Sequence, residues 1–190
     1  MAAPWRGEIE RSLSGDSATS RFMQLATVTA NGWPANRTVV FRGFLPGSDA
    51  LTFVTDARSQ KVAHAAADPH CEVCWYFSET RVQFRIAGRL QVISESESEE
   101  KLLRYRRDAW DALSDKTKQQ FYWPEPRTLR QAEKASEEIS RDTQKVPESF
   151  CLCLLQPEFV DYLDLNEWPH RRTLFSRQHS GKWTRQEVNP

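Results

Sequence analysis

The sequence predicts a small, mainly β protein, an antiparallel barrel with helices packed outside it, and three observations carry that expectation. Short runs rich in β-branched and aromatic residues, each bounded by Gly, Pro, Asn or Asp, begin at Phe22 and recur along the first half of the chain. Runs of the same kind return after Pro147, so the β core is completed from both ends of the sequence. A chain of 190 residues buries one substantial core and leaves little room for two full domains. The expected organisation is therefore a single domain over residues 1–190 with a helical excursion at about 95–147.

In chain order, Pro4 opens a short helix on which Trp5, Ile9 and Leu13 recur at apolar spacing, a lid or brace. "FMQLATVTA", the turn "NGWP", "ANRTVVFRGF", the turn "LPGSD" and "ALTFVT" then read as three antiparallel strands in a meander. The last of these passes within a few residues into "TDARSQK", which is polar, cationic and helix-like, with a helix starting near Arg58. "HCEVCWYF", a polar break at Ser78 to Thr80, and "RVQFRIAGRLQVIS" form a further hairpin.

"SESESEEKLLRYRRDAWDALSDKTKQQFYW" turns helical, with Ser94 as cap and acidic residues in the first turn, where the helix dipole favours them. Residues Trp123 to Pro147 carry three prolines and many charges and read as an excursion with some helix. The closing runs, "ESFCLCLLQ", "FVDYLDL", "RRTLFSRQ", the turn "HSGK" and "WTRQEV", are short strands.

Composition limits the function classes. Lys plus Arg equals Asp plus Glu, 26 against 26, so no global field attracts nucleic acid or an anionic membrane, although a few local cations can still hold one small phosphate. The opening "MAAPWRGEIERSL" has charges where a signal peptide needs an apolar core, and no run reaches the length of a membrane span. A soluble, cytoplasmic protein is expected. The cysteines, Cys71, Cys74, Cys151 and Cys153, raise the question of zinc. They lie in strand-like runs, where residues three apart point to opposite faces, which favours four buried thiols over a metal site. Four histidines without an HExxH-type spacing give no support for a catalytic metal.

The turn "TDARSQK" suits an anion. Thr55 and Ser59 offer hydroxyl donors, Lys61 a point charge, and the N–H groups of the following helix point outwards. The alternative is that Asp56 or Ser59 caps the helix and Lys61 is solvated. In "RTVVFRGF" the spacing of five aims Arg37 and Arg42 at opposite faces unless a bulge intervenes, so at least one lies on the inner or interface side and needs an anionic or planar partner. Gln83, in an otherwise apolar strand, is either an exposed strand residue or a buried amide suited to the polar edge of a heterocycle.

Taken together, "RTVVFR", "FVTDARSQK", "QFRIAG", "HRRTLFSR" and "KWTRQEVNP" resemble, in order and separation, the pyridoxamine 5′-phosphate oxidase-like FMN-binding split-barrel proteins. The segment "WPEP" at Trp123 to Pro126 is similar to the branch named for its likeness to the oxidase. The resemblance implies a six-stranded antiparallel split β-barrel of FMN-binding type and a homodimer with shared flavin sites. It implies that Arg37 and Arg42 lie along the flavin, that Thr55, Ser59 and Lys61 hold the FMN phosphate, and that Gln83 touches the ring edge. It further implies that Arg172 lies near the ring and that Gln120 corresponds to a glutamine given by the partner subunit. The oxidase has Arg-Lys where this chain has Gln60-Lys61, so one phosphate contact is weaker or comes from elsewhere.

For the substrate, the family pattern Arg-x-His appears here as "WPH": His170 matches, while Trp168 stands where a substrate-facing Arg is expected. The oxidase's Tyr, Arg and Ser along its long helix have no counterpart at matching spacing in "KLLRYRRDAWDALS". The resemblance thus implies an FMN-dependent oxidoreductase whose small substrate, an amine, a quinone or a pyridoxal-like compound, is unnamed. Alternatives are a flavin carrier without turnover and a deazaflavin- or haem-handling relative on the same barrel. The chemistry is the flavin's, so no catalytic nucleophile is assigned.

Overall fold

The computed structural model describes residues 2–14, 19–129 and 143–190. Its elements are α1 (Arg6–Ser14), β1 (Phe22–Val28), β2 (Pro34–Val40), β3 (Gly43–Phe44), β4 (Leu51–Asp56), α2 (Gln60–Ala67), β5 (His70–Phe77) and β6 (Val82–Ile93). They continue with α3 (Glu100–Asp111), α4 (Asp115–Gln119), one 3-10 turn (Gln120–Tyr122), β7 (Phe150–Asp164), β8 (Arg171–Arg177) and β9 (Trp183–Val188). Two compact units are present, one of residues 1–53, 64–91 and 154–190, the other of residues 54–63 and 92–153.

The larger unit contains all or part of every strand. The order is β2-β1-β5-β6-β7-β4-β3, with β8 on β7 and β9 on β8. Alternation in the sequence decides which face is buried. Met23 and Leu25 of β1, Val73 and Trp75 of β5, and Phe84 and Ile86 of β6 all turn to the core. Each such side chain contributes about 1.5–3 kcal/mol when fully buried, so this face holds the barrel together. Gln24, Cys74, Gln83 and Arg85 occupy the opposite face. The "NGWP" turn closes the β1–β2 hairpin with Gly32 at φ +78°, a backbone conformation that glycine adopts without strain.

The expected three-strand meander does not form. The run "ANRTVVFRGF" stops as a strand at Val40, and Gly43, at φ +139°, starts β3, which pairs with β4 through Gly43–Thr52 and Phe44–Leu51. That pair closes the far end of the strand order from β2, so the third strand has left the first hairpin. By contrast, "ESFCLCLLQ" and "FVDYLDL" run together as the 15 residues of β7, through Pro157. At Gly88 β7 comes so close that a Cβ would lie 2.0 Å from the Gln156 carbonyl oxygen. α1 is a brace: Trp5 is buried at 5.6 Å from the Trp183 ring and 6.2 Å from Phe44, and the Ala3 N–H donates to Asp49 at 3.0 Å.

In the smaller unit Trp110, Leu113, Phe121 and Phe150 form a core of their own. Arg106 is buried there, its Nε donating to the Phe150 carbonyl at 3.0 Å and Nη2 to the Pro147 carbonyl at 2.7 Å. Ser94 is not the cap of α3. The helix starts at Glu100, because the Glu97 carboxylate draws the Ser98 and Glu99 N–H groups into a local turn first. Ser114 does cap a helix, the short α4, by accepting from the Thr117 N–H. The helix expected within the excursion falls partly on residues 130–142, outside the described residues.

All four cysteines are free thiols, and Cys71 and Cys74 face opposite sides of β5. Burial pushes the Cys71 thiol up to about 12 and that of Cys151 to about 11. Among the described residues no helix is long and apolar enough to cross a membrane.

Candidate functional site

The turn from β4 into α2 is organised by Asp56. Its Oδ1 accepts from the Arg58 N–H at 2.7 Å and its carbonyl from the Ser59 N–H at 3.0 Å, while the Ser59 carbonyl accepts from Val62 N–H at 3.0 Å. Arg58 returns to Asp56 through Nε and Nη2, at 2.9 and 2.6 Å, so this cation belongs to the turn.

With the backbone so fixed, three predicted residues converge. Lys61 Nζ donates to Thr55 Oγ1 at 2.8 Å and to Ser59 Oγ at 3.0 Å, and the two hydroxyls are 3.1 Å apart. Asp56 therefore shapes the turn, as the capping alternative required, yet Ser59 and Lys61 do more than cap and solvate it. The two hydroxyl oxygens orient the ammonium. Two hydroxyls and an ammonium within one triangle, at the start of a helix, form a donor set that fits a phosphate.

In the larger unit, the register Leu25–Arg37 puts Arg37 on the core side of β2 beside Val39. Its Nη1 donates to the Leu25 carbonyl at 3.1 Å and to Thr27 Oγ1 at 2.8 Å. Burial holds the guanidinium below its ordinary value. Among the described residues no carboxylate pairs with Arg37, and Nε and Nη2 have no acceptor. The Nε–Nη2 edge has the geometry that accepts a bidentate anionic or planar partner.

Arg42 lies beyond the end of β2 and is exposed; because the strand stops at Val40, alternation no longer sets its side, and its N–H donates to the Thr52 carbonyl at 2.8 Å. Desolvation, and then repulsion from Arg21, lowers its pKa. Gln83 is half-buried on the outer face of β6, where its Oε1 accepts from Cys74 Sγ at 3.8 Å.

Arg172 is already paired. It grips the buried Asp161 with Nε at 2.9 Å and Nη2 at 2.5 Å, and that bond raises its pKa. Asp161 is also 3.9 Å from Arg85 Nη1, and Arg85 Nε donates to Glu72 at 2.8 Å. Glu72, Arg85, Asp161 and Arg172 thus form a row of alternating charge across β5, β6, β7 and β8. The β5–β6 hairpin that brings Glu72 to Arg85 was expected; that β7 lies beside β6 and so joins the two pairs follows from a strand order the sequence did not disclose.

His170 Nδ1 lies 2.9 Å from the Glu167 carbonyl, and its ring stands edge-on to Trp168 at 5.5 Å. Gln120 is exposed at the start of the 3-10 turn. Sequence reasoning missed Thr27 and His64, whose Oγ1 and Nδ1 are 3.0 Å apart. The one available signal was a threonine at the inward position of β1 that follows the apolar Met23 and Leu25.

A curled antiparallel sheet with this strand order is the fold of the FMN-binding split-barrel proteins. A family model described as "Pyridoxamine 5'-phosphate oxidase, FMN-binding domain" matches residues 2–94. An Arabidopsis thaliana protein named pyridoxine/pyridoxamine 5'-phosphate oxidase 2 is 40% identical, over 99% of this chain and 98% of that protein. A crystal structure of a pyridoxamine 5'-phosphate oxidase-related, FMN-binding protein from Nostoc punctiforme superposes with a TM-score of 0.95 at 43% identity, covering 99% of this chain and 98% of that one. PhzG from Burkholderia lata, in complex with tetrahydrophenazine-1-carboxylic acid, has a TM-score of 0.78 at 18% identity over 97% and 90% of the two chains, a likeness of fold alone. The chain belongs to the pyridoxamine 5′-phosphate oxidase-related family of FMN-binding proteins, and its cofactor is FMN.

Proposed function

We propose that this chain is a cytoplasmic FMN-dependent oxidoreductase acting on a small molecule. The observation that carries the reading is Arg37, a half-buried guanidinium held only by neutral acceptors, with its bidentate edge unassigned among the described residues. Such a cation favours a ring that gains negative charge on reduction, which a mere carrier does not need. FMN, when bound, supplies the electron or hydride transfer. The chain's residues bind and orient it: Thr55, Ser59 and Lys61 take the phosphate, Arg37 and Arg42 lie along the ring, and Gln83 meets its polar edge. Arg172, neutralised by Asp161, acts there as a positioned donor rather than as a net charge.

The working form in this reading is a homodimer. Phe22 and Tyr76, on neighbouring strands of the face opposite the core, are 43% and 47% exposed, beside half-buried Cys74 and Gln83. A second copy on this face makes an isologous interface, shields the ring and brings Gln120 of its own chain to the flavin. Sedimentation at micromolar concentration should give a dimer; a flavin-loaded monomer counts against this part.

The deciding experiment uses protein purified with its chromophore. The absorption spectrum and mass of the released cofactor should be those of FMN rather than of a deazaflavin or haem. Photoreduced, FMN-loaded protein is then mixed anaerobically with a panel of quinones, and the oxidised form with small amines. Electron transfer faster than with free FMN supports an oxidoreductase. Rates no faster than free FMN across both panels leave the carrier reading.

A further inference from the structure

We propose that His64 is a positioning residue for the flavin cation Arg37, acting through the hydroxyl of Thr27. The proposal rests on the reading that Arg37 faces the flavin ring.

An arginine N–H only donates, so in the 2.8 Å contact with Nη1 the Thr27 hydroxyl oxygen is the acceptor. Thr27 is 2% exposed, and its own hydrogen has no water to turn to. The acceptor within reach is His64 Nδ1 at 3.0 Å. With Nδ1 as that acceptor, the ring carries its hydrogen on Nε2. The outcome is a one-way chain of donors, Arg37 to Thr27 to His64.

Its consequence lies at Arg37. A threonine hydroxyl rotates, and with its hydrogen pinned on His64 a lone pair is aimed at Nη1. Together with the Leu25 carbonyl at 3.1 Å, this fixes Nη1 at two points and with it the plane of the guanidinium. The free edge, Nε and Nη2, is then presented in one orientation, which lowers the entropy lost when a ligand accepts from it. His64 sits on α2, whose last turn is closed by the Asp68 N–H donating to the His64 carbonyl at 2.8 Å, so its ring is carried on ordered backbone.

Two measurements test this. In flavin-free protein labelled with ¹⁵N-histidine, long-range ¹H–¹⁵N correlation should show His64 as the Nε2–H tautomer with Nδ1 an acceptor; an Nδ1–H tautomer overturns the proposal without reference to FMN. Fluorescence titration of FMN then reads the coupling. Arg37→Leu should weaken binding about tenfold, the loss of one charged hydrogen bond. His64→Leu and Thr27→Val should each weaken it about threefold to fivefold, and Thr27→Ser, which keeps the hydroxyl, should restore what Thr27→Val loses. In the Arg37→Leu background, His64→Leu should change the affinity by less than about twofold, because a residue acting through Arg37 has nothing left to position. Parental affinity in Arg37→Leu sinks the ring reading itself. A normal His64→Leu beside a weakened Arg37→Leu overturns the positioning role alone, as does an equal loss in both backgrounds.

Discussion

Gly88 of β6 lies directly beneath the carbonyl of Gln156 in β7: a Cβ on residue 88 would stand 2.0 Å from that oxygen, 2.9 Å from its carbon and 3.1 Å from Pro157 Cα. Every atom in the way is backbone, so no side chain can swing aside. Gly88→Ala should therefore destabilise the protein at or above the upper end of the roughly 1–3 kcal/mol typical of overpacking. Urea unfolding followed by tryptophan fluorescence measures it, and a midpoint equal to that of the parent would mean that the two strands are farther apart than described.

The triangle of Lys61, Thr55 and Ser59 makes a second quantity measurable. Lys61→Ala should weaken FMN binding by about 1–3 kcal/mol, the range for a charge-assisted hydrogen bond. Thr55→Val, which keeps the shape and removes one hydroxyl, should lose less. Equal affinities for Lys61→Ala and parent in an equilibrium titration would take this turn out of the site.

Cys71 sets an alkaline signature. Burial raises its thiol from 9.0 to about 12, so the folded protein retains a proton that the unfolded chain gives up. The stability this group contributes is complete below about pH 9 and is lost as pH rises towards 12. Unfolding midpoints compared across that window should fall more steeply in the parent than in Cys71→Ala. Parallel slopes would show that the Cys71 thiol ionises as readily folded as unfolded.

The legible parts of this molecule are those fixed by local chemistry. Alternating inward residues such as Met23, Leu25, Val73 and Trp75 declare their strands, and the two hydroxyls and the lysine that converge at Thr55 to Lys61 lie within seven residues of sequence. Strand order is another matter. Nothing near Arg42 and Gly43 says that the chain leaves its hairpin there, since the destination is set by which sheet edge β4 finds. The row Glu72–Arg85–Asp161–Arg172 was hidden for the same reason, and with it the fact that Arg172 is neutralised. Thr27 and His64 are separated by 37 positions, and only the folded chain brings them to 3.0 Å.

The last prediction concerns substrate: despite its family, this chain should be a poor oxidase of pyridoxamine 5′-phosphate. The similar Arabidopsis protein bears that oxidase's name, so the expectation must rest on the residues here. Trp168, standing where a substrate-facing Arg is expected, is 90% exposed and edge-on to His170, and it offers an apolar ring and one donor instead of a cation. Another arginine would have to replace the missing charge, and two candidates are engaged elsewhere. Arg106 is buried with its donors on the Phe150 and Pro147 carbonyls. Arg171 is shared between Glu167 at 3.5 Å and Asp164 at 3.9 Å. Arg107 alone of the three remains exposed on α3. Each lost charge-assisted contact to a substrate phosphate removes about 1.5–3 kcal/mol, and two such losses lower kcat/KM by roughly a hundredfold or more. FMN binding, carried by other residues, should be unaffected. Steady-state oxidation of pyridoxamine 5′-phosphate by the FMN-loaded protein decides the matter. A kcat/KM of about 10³ M⁻¹s⁻¹ or higher, within tenfold of the low end for ordinary enzymes, would show that the phosphate is held by a cation other than those considered, and Arg107→Ala would then be the variant to lose it.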